Sequence, residues 1–151
     1  MTKYLFAALV AWFFTLMIFS LSPALACSCG PSPDPKVALE GATAVFAGKV
    51  IAIEEEEHEQ DVKLQIKIDV SKCWKGVTST TVIVTTRHST AACGYPFEIS
   101  KEYLVYAQSV KGQEYLQTNF CSRTQELADA KEDLAELGEG STPPCEGSDT
   151  K

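Results

Sequence analysis

The chain has 151 residues, 45% of them hydrophobic and 22% charged, with a formal net charge of −7. After any leader is removed, that length suits one modest domain rather than two. Its acidity repels phosphate backbones, which argues against a nucleic-acid partner.

The first 26 residues hold Lys3, an apolar run from Tyr4 to Leu21 without an acid, and then Ser22-Pro23-Ala24-Leu25-Ala26. A basic start, an apolar middle and an Ala-x-Ala end predict a signal peptide over 1–26, cleaved after Ala26. The run is long enough to span a bilayer, but Pro23 and the small Ala24 and Ala26 favour processing over a retained anchor. Processing leaves Cys27 to Lys151, and the loss of Lys3 takes the formal charge to −8. The predicted location is secreted, or periplasmic and cell-envelope.

All six cysteines, Cys27, Cys29, Cys73, Cys93, Cys121 and Cys145, lie in the mature part. In an oxidising compartment an even set reads as a disulfide framework, with 15 possible pairings that the spacing alone does not resolve. A structural zinc site fits poorly. No C-x-x-C pair occurs, and His58 and His88 lack ligand spacing to any cysteine.

In chain order, Gly30-Pro31-Ser32-Pro33 excludes helix and central strand and must run extended. Asp34 then offers an N-cap with Pro35 at the first helical position, and Gly41 closes a short helix through Val37, Ala38 and Leu39. Ala44 to Glu54 has strand character, and Glu54 to Asp61 predicts a charged turn. Val62, Leu64, Ile66, Ile68 and Val70 alternate with polar residues, so one face of that strand is buried. Trp74-Lys75-Gly76 ends it. Strands follow at Thr80 to Arg87, Glu102 to Gln108 and Glu114 to Thr118. Five successive strands predict a mainly β small barrel.

From Ser122 the pattern becomes helical, with Leu127, Ala130, Leu134 and Leu137 on one face and Ser122 with Gln125 as a capping box, until Gly138 stops it. The predicted domain is 27–138. Residues 139–151, rich in Pro, Gly, Ser and acid, predict a flexible acidic tail apart from whatever ties down Cys145.

Cleavage after Ala26 places a free α-amino group on Cys27, two residues from Cys29 and followed by a Gly-Pro turn. An α-amino group titrates at about 7.7–8.0, so near neutral pH part of it is unprotonated and free to ligate a metal. With the Cys27 carbonyl oxygen it forms a five-membered chelate. If both cysteines are oxidised, the terminus is held rigid at the surface.

The Cys27-Ser28-Cys29 head followed by Pro31, Trp74-Lys75-Gly76 at a strand end, Cys93-Gly94-Tyr95 before a strand, and Cys121-Ser122 resemble the tissue inhibitors of metalloproteinases and their netrin-like relatives. The resemblance covers Cys27 to about Leu137. It implies an OB-fold-like five-stranded barrel flanked by a short N-terminal helix and a C-terminal helix. It also implies a function: inhibition of zinc metalloproteases by a wedge that enters the protease cleft. On this chain the α-amino nitrogen and carbonyl oxygen of Cys27 would bind the protease zinc, and Ser28 would enter the specificity pocket. Cys29, Gly30 and Pro31 would complete the wedge, with Ala91, Ala92 and Cys93 as a second contact strip. The protein needs no cofactor of its own on this reading, only the zinc of its target, and acts as a monomer on a protease rather than on a small-molecule substrate.

The resemblance further implies pairing of Cys27 with Cys93 and of Cys29 with Cys121. Cys73 and Cys145 have no counterpart in the family and are paired with each other by elimination. Animal inhibitors also carry a cysteine in the first helix, near the position of Leu39 here, and a second six-cysteine subdomain that this sequence does not contain.

A different reading is a non-inhibitory netrin-like interaction module of the cell envelope. Ala24-Leu25-Ala26-Cys27 resembles a lipoprotein processing site. Acylation of Cys27 would then cap the nitrogen and tie the protein to a membrane. An enzyme is disfavoured, because a cysteine nucleophile needs a partner histidine and only His58 and His88 exist. His58 sits in the acidic run Glu54 to Glu59, which reads as a solvated hairpin rather than a cation site. By resemblance that hairpin would touch the protease outside its cleft. Tyr95, Tyr103, Tyr106 and Tyr115 read as barrel residues, and no basic patch interleaves them for nucleic-acid stacking.

Overall fold

In a computed structural model of the chain, residues 27–58 and 61–145 are described. The predicted signal segment and the end of the predicted tail lie outside the described residues. Two helices and six strands follow in order: α1 (Pro35–Gly41), β1 (Ala44–His58), β2 (Asp61–Lys75), β3 (Thr81–Arg87), β4 (Glu102–Ala107), β5 (Leu116–Gln117), β6 (Gln125–Glu126) and α2 (Lys131–Leu137).

The single sheet has the order β5-β3-β2-β1-β4-β6. All its pairings are antiparallel except β3 with β5. Gln108, just past β4, and Gln117 in β5 exchange backbone hydrogen bonds of 2.8 Å each. That bridge brings one edge of the sheet back to β4 and curls it into a small barrel of the expected mainly β, OB-like kind.

The core divides in two because β1 and β4 are buried on both faces. Ala44, Phe46 and Val50 point into the barrel with Ile66, Ile68, Val70, Val84, Tyr103 and Val105. Val45, Leu104 and Tyr106 point outward, under a layer formed by Ala38, Leu39, Leu127, Ala130, Leu134 and Leu137. The unbroken apolar run Ala44-Val45-Phe46-Ala47 is the sequence of such a doubly covered strand. Leu39 is thus apolar filling that α1 contributes to the outer cluster.

Asp34 caps α1 as expected, its Oδ1 accepting from the Lys36 N–H at 3.0 Å. Gly76, at φ +65°, turns the chain out of β2 where a Cβ would come within 2.1 Å of the Thr43 carbonyl oxygen. Beyond Gly138 the chain returns to β2. Ser141 pairs with Cys73 and Cys145 with Val77 through backbone hydrogen bonds, and a disulfide joins Cys73 to Cys145.

Three expectations need correction. The tract from Glu54 is not a turn: β1 runs through it to His58 in register with β2, as the acidic arm of a long hairpin. The predicted helix from Ser122 begins only at Lys131, and Gln125–Glu126 instead forms a sixth strand on β4. Ser122 does not cap a helix; its hydroxyl donates to the Asn119 carbonyl at 2.7 Å and accepts from the Thr124 N–H at 3.2 Å, which holds a turn. The strand expected over Glu114 to Thr118 is only Leu116–Gln117, so Tyr115 lies just before it, whereas Tyr106 is a barrel-strand residue as expected, on the outer face of β4 beneath α2.

Candidate functional site

Residues 27–34 precede α1 without regular structure, and Ser28, Cys29, Gly30 and Pro31 are exposed while Cys27 is half-buried. Disulfides join Cys27 to Cys93 and Cys29 to Cys121, with Cα separations of 5.1 and 5.2 Å. The two bridges lie side by side, the Cys27 Sγ 3.6 Å from the Cys121 Sγ. Chain-entropy arguments give each loop closure about 4 kcal/mol, without additivity.

The receiving loop is built to hold its shape. Thr90–Ala92 forms one 3-10 turn, with the Ser89 hydroxyl accepting from the Ala91 N–H at 3.2 Å. Cys93 then takes a left-handed conformation, φ 67°, which costs a non-glycine residue roughly 1 kcal/mol and closes the turn, its N–H donating to the Thr90 carbonyl at 3.0 Å. Gly94 follows because a Cβ there would come within 1.8 Å of the Arg87 carbonyl oxygen. The Tyr95 N–H donates to the Thr86 hydroxyl at 2.9 Å. The Tyr95 ring packs edge-on to Tyr103 and tilted against Phe97, at 5.8 and 4.7 Å. Burial raises the Tyr95 phenol to about 12, so it stays neutral. Cys-Gly-Tyr is thus a tight turn locked at both ends.

The Cys27–Cys93 disulfide therefore ties the terminus to the loop that carries Ala91 and Ala92, with Ala91 exposed. Gly30 and Pro31 continue away from it toward α1. Phe120 joins the surface unannounced by the sequence. Its N–H donates to the Cys93 carbonyl at 2.8 Å, it precedes Cys121, and its side chain is 54% exposed. The Sγ atoms of Cys27, Cys93 and Cys121 lie within 4.8 Å of one another, yet each belongs to a disulfide and none offers a thiolate to a metal. His88 sits beside Glu55, Nε2 to Oε1 3.6 Å, and not beside a cysteine.

Behind the wedge lies a second arrangement that periodicity did not reveal. Arg123 donates from Nε and Nη2 to the two oxygens of Asp133, each at 2.7 Å. Its Nη1 donates to the Pro33 carbonyl at 2.7 Å and to the Ser32 hydroxyl at 3.2 Å. Asp133 is 1% exposed and also accepts from the Tyr106 hydroxyl at 2.9 Å and the Gln125 amide at 2.7 Å. Burial opposes its charge, but the bonds from Arg123, Tyr106 and Gln125 outweigh it and hold the carboxyl below its ordinary range. The Tyr106 phenol is pushed up, by burial first and then by Asp133. Arg123 and Asp133 stand ten residues apart, a spacing that matches no local pairing rule, so the sequence carries no signal of this bond.

Comparison with known proteins agrees with this geometry. The family model described as tissue inhibitor of metalloproteinase matches residues 25–135. Metalloproteinase inhibitor 2 of Gallus gallus is 30% identical over 110 residues, 68% of this chain and 50% of that protein. The chain thus spans half the length of that curated relative. With its cysteine-headed terminus bridged to two loops of a curled β barrel, and with most of its length matched, the chain belongs to the tissue inhibitor of metalloproteinase family.

Proposed function

We propose that the mature protein is a secreted inhibitor of zinc metalloproteases, acting as a monomer through the main chain of Cys27. Signal cleavage after Ala26 would free the α-amino nitrogen. That nitrogen and the Cys27 carbonyl oxygen would then chelate the zinc of the target in place of its water. A catalytic zinc keeps an open position for such a ligand, and loss of its water removes the nucleophile. Ser28, exposed beside the chelating residue, would project into the pocket next to the metal.

The observation that supports this reading best is the pair of adjacent bridges, Cys27–Cys93 and Cys29–Cys121, on either side of an exposed Ser28. A terminus ordered before binding loses little freedom on entering a cleft. The fold alone would not carry the function, since one fold serves many sites. The family, whose printed description is an inhibitor, points to the same use of the terminus.

The test compares two refolded proteins, one starting at Cys27 and one with an added alanine before it, against a zinc endopeptidase cleaving a fluorogenic peptide. Inhibition by the first and its weakening on the order of 100-fold in the second, about 3 kcal/mol, is the expected result. Equal potency would overturn the chelation. Intact mass of the exported protein checks the nitrogen directly: an acyl group on Cys27 would replace this reading with that of a membrane-tethered module.

A further inference from the structure

We propose that Arg123 is a positioning residue for the cysteine terminus, the second point of a two-point clamp that sets the direction in which Cys27 to Cys29 project. This rests on the inhibitory reading given above. The segment between the wedge and α1 is Gly30-Pro31-Ser32-Pro33-Asp34-Pro35. Proline at every second position fixes φ there and keeps each preceding residue extended, so the segment behaves as a stiff rod.

One loop grips that rod twice. Cys121 holds Cys29 through the disulfide, and Arg123, two residues further on, holds Ser32 and Pro33. A single attachment would leave the rod free to swivel about the sulfur bridge. The second attachment, four residues along, fixes its angle.

Arginine suits the second point for a geometric reason. Its fork engages both Asp133 oxygens, which leaves Nη1 aimed at the Pro33 carbonyl. The guanidinium is itself held on a buried carboxylate, with Tyr106 and Gln125 bracing that carboxylate from β4 and β6. A lysine ammonium is a point donor and cannot span Asp133 and Pro33 in this way. Stiffness in the rod, the disulfide and the buried pair therefore add up to one fixed approach direction for the chelating residue.

The experiment uses the mature chain from Cys27 with two variants, Arg123→Lys and Val84→Ala. Val84 is buried inside the barrel and takes no part in the Arg123–Asp133 bonds or in the wedge, so its truncation serves as the stability control. Two readouts are taken: inhibition of a zinc endopeptidase, and NMR order parameters of the backbone N–H groups of Cys29, Gly30 and Ser32. Arg123→Lys is expected to weaken inhibition about tenfold and to lower the order parameters at those residues. Val84→Ala is expected to do neither, even if it lowers the melting temperature as much. Unchanged order parameters in Arg123→Lys, or equal effects of the two variants, overturn the clamp. If Arg123→Lys does not fold, Ser32→Ala reads the same attachment, with lower order parameters supporting the clamp and unchanged ones overturning it. A parent protein that fails to inhibit, with the difference in order parameters intact, overturns the inhibitory reading and supports the clamp.

Discussion

The two extremities of the molecule are ordered by different means. At the cysteine terminus, eight residues without secondary structure are held by two sulfur bridges and the guanidinium of Arg123. At the β1–β2 hairpin, order comes chiefly from main-chain pairing. β4 covers β1 only over Ala44–Lys49 and β3 covers β2 only over Lys63–Asp69, so β1 from Ile53 to His58 has β2 as its one neighbour strand and the tip of the hairpin extends as a ribbon. That ribbon carries Glu54, Glu55 and Glu56, with side-chain links to His88 and Gln65. Where the backbone makes no ladder, covalent and buried polar contacts carry the shape; where the ladder is continuous, the side chains are free to be charged.

The contrast breaks most sharply at the bridges. Replacing Cys29 and Cys121 together by serine is expected to lower stability by about 4 kcal/mol in urea unfolding, from a loop of separation 92. A change under 1 kcal/mol would mean that the unfolded chain is already constrained. Next comes Asp133→Ala, which strands the largely buried Arg123 charge and should cost about 3 kcal/mol. A melting temperature equal to the parent's would remove Asp133 from the terminus's support.

Acid sharpens the same point with a smaller effect. The Asp133 carboxyl is held below its ordinary value of 3.8, so its contribution is fully present above that value and is lost as pH falls toward the depressed one. Thermal melts between pH 5 and 2 should therefore fall less steeply for Asp133→Asn than for the parent, and parallel curves would contradict the assignment. The smallest effect belongs to the ribbon: Glu55→Gln, exposed and 3.6 Å from His88, should stay within about 0.5 kcal/mol of the parent in the same unfolding experiment.

Much of the barrel was legible in the sequence. Alternation from Val62 to Val70 marked β2, the Asp34-Pro35 pair and Gly41 bracketed α1, and doubly covered strands wrote themselves as unbroken apolar runs. What was hidden depends on partners distant in the chain. Glu54 to Glu57 have little strand propensity, yet ladder bonds to residues 62–65 make them strand. Ser122 and Gln125 have the spacing of a helix cap, but Asn119 and Asp133 claim their side chains first. At the site, the cysteine triplet and the Cys-Gly-Tyr turn were visible as local motifs. Phe120 and the Arg123–Asp133 pair were not, because their roles arise only when the terminus is folded back on them.

Two-sided burial of β1 has a practical side. With Ala44, Val45 and Phe46 fully enclosed, that stretch leaves no room for diversification, and neither do Leu104 and Val105 opposite it. Ser28, Ala91 and Phe120, by contrast, are solvent-facing side chains on a braced backbone. An engineer building a combinatorial library for a new target would randomise those three and leave the enclosed strands as an invariant chassis.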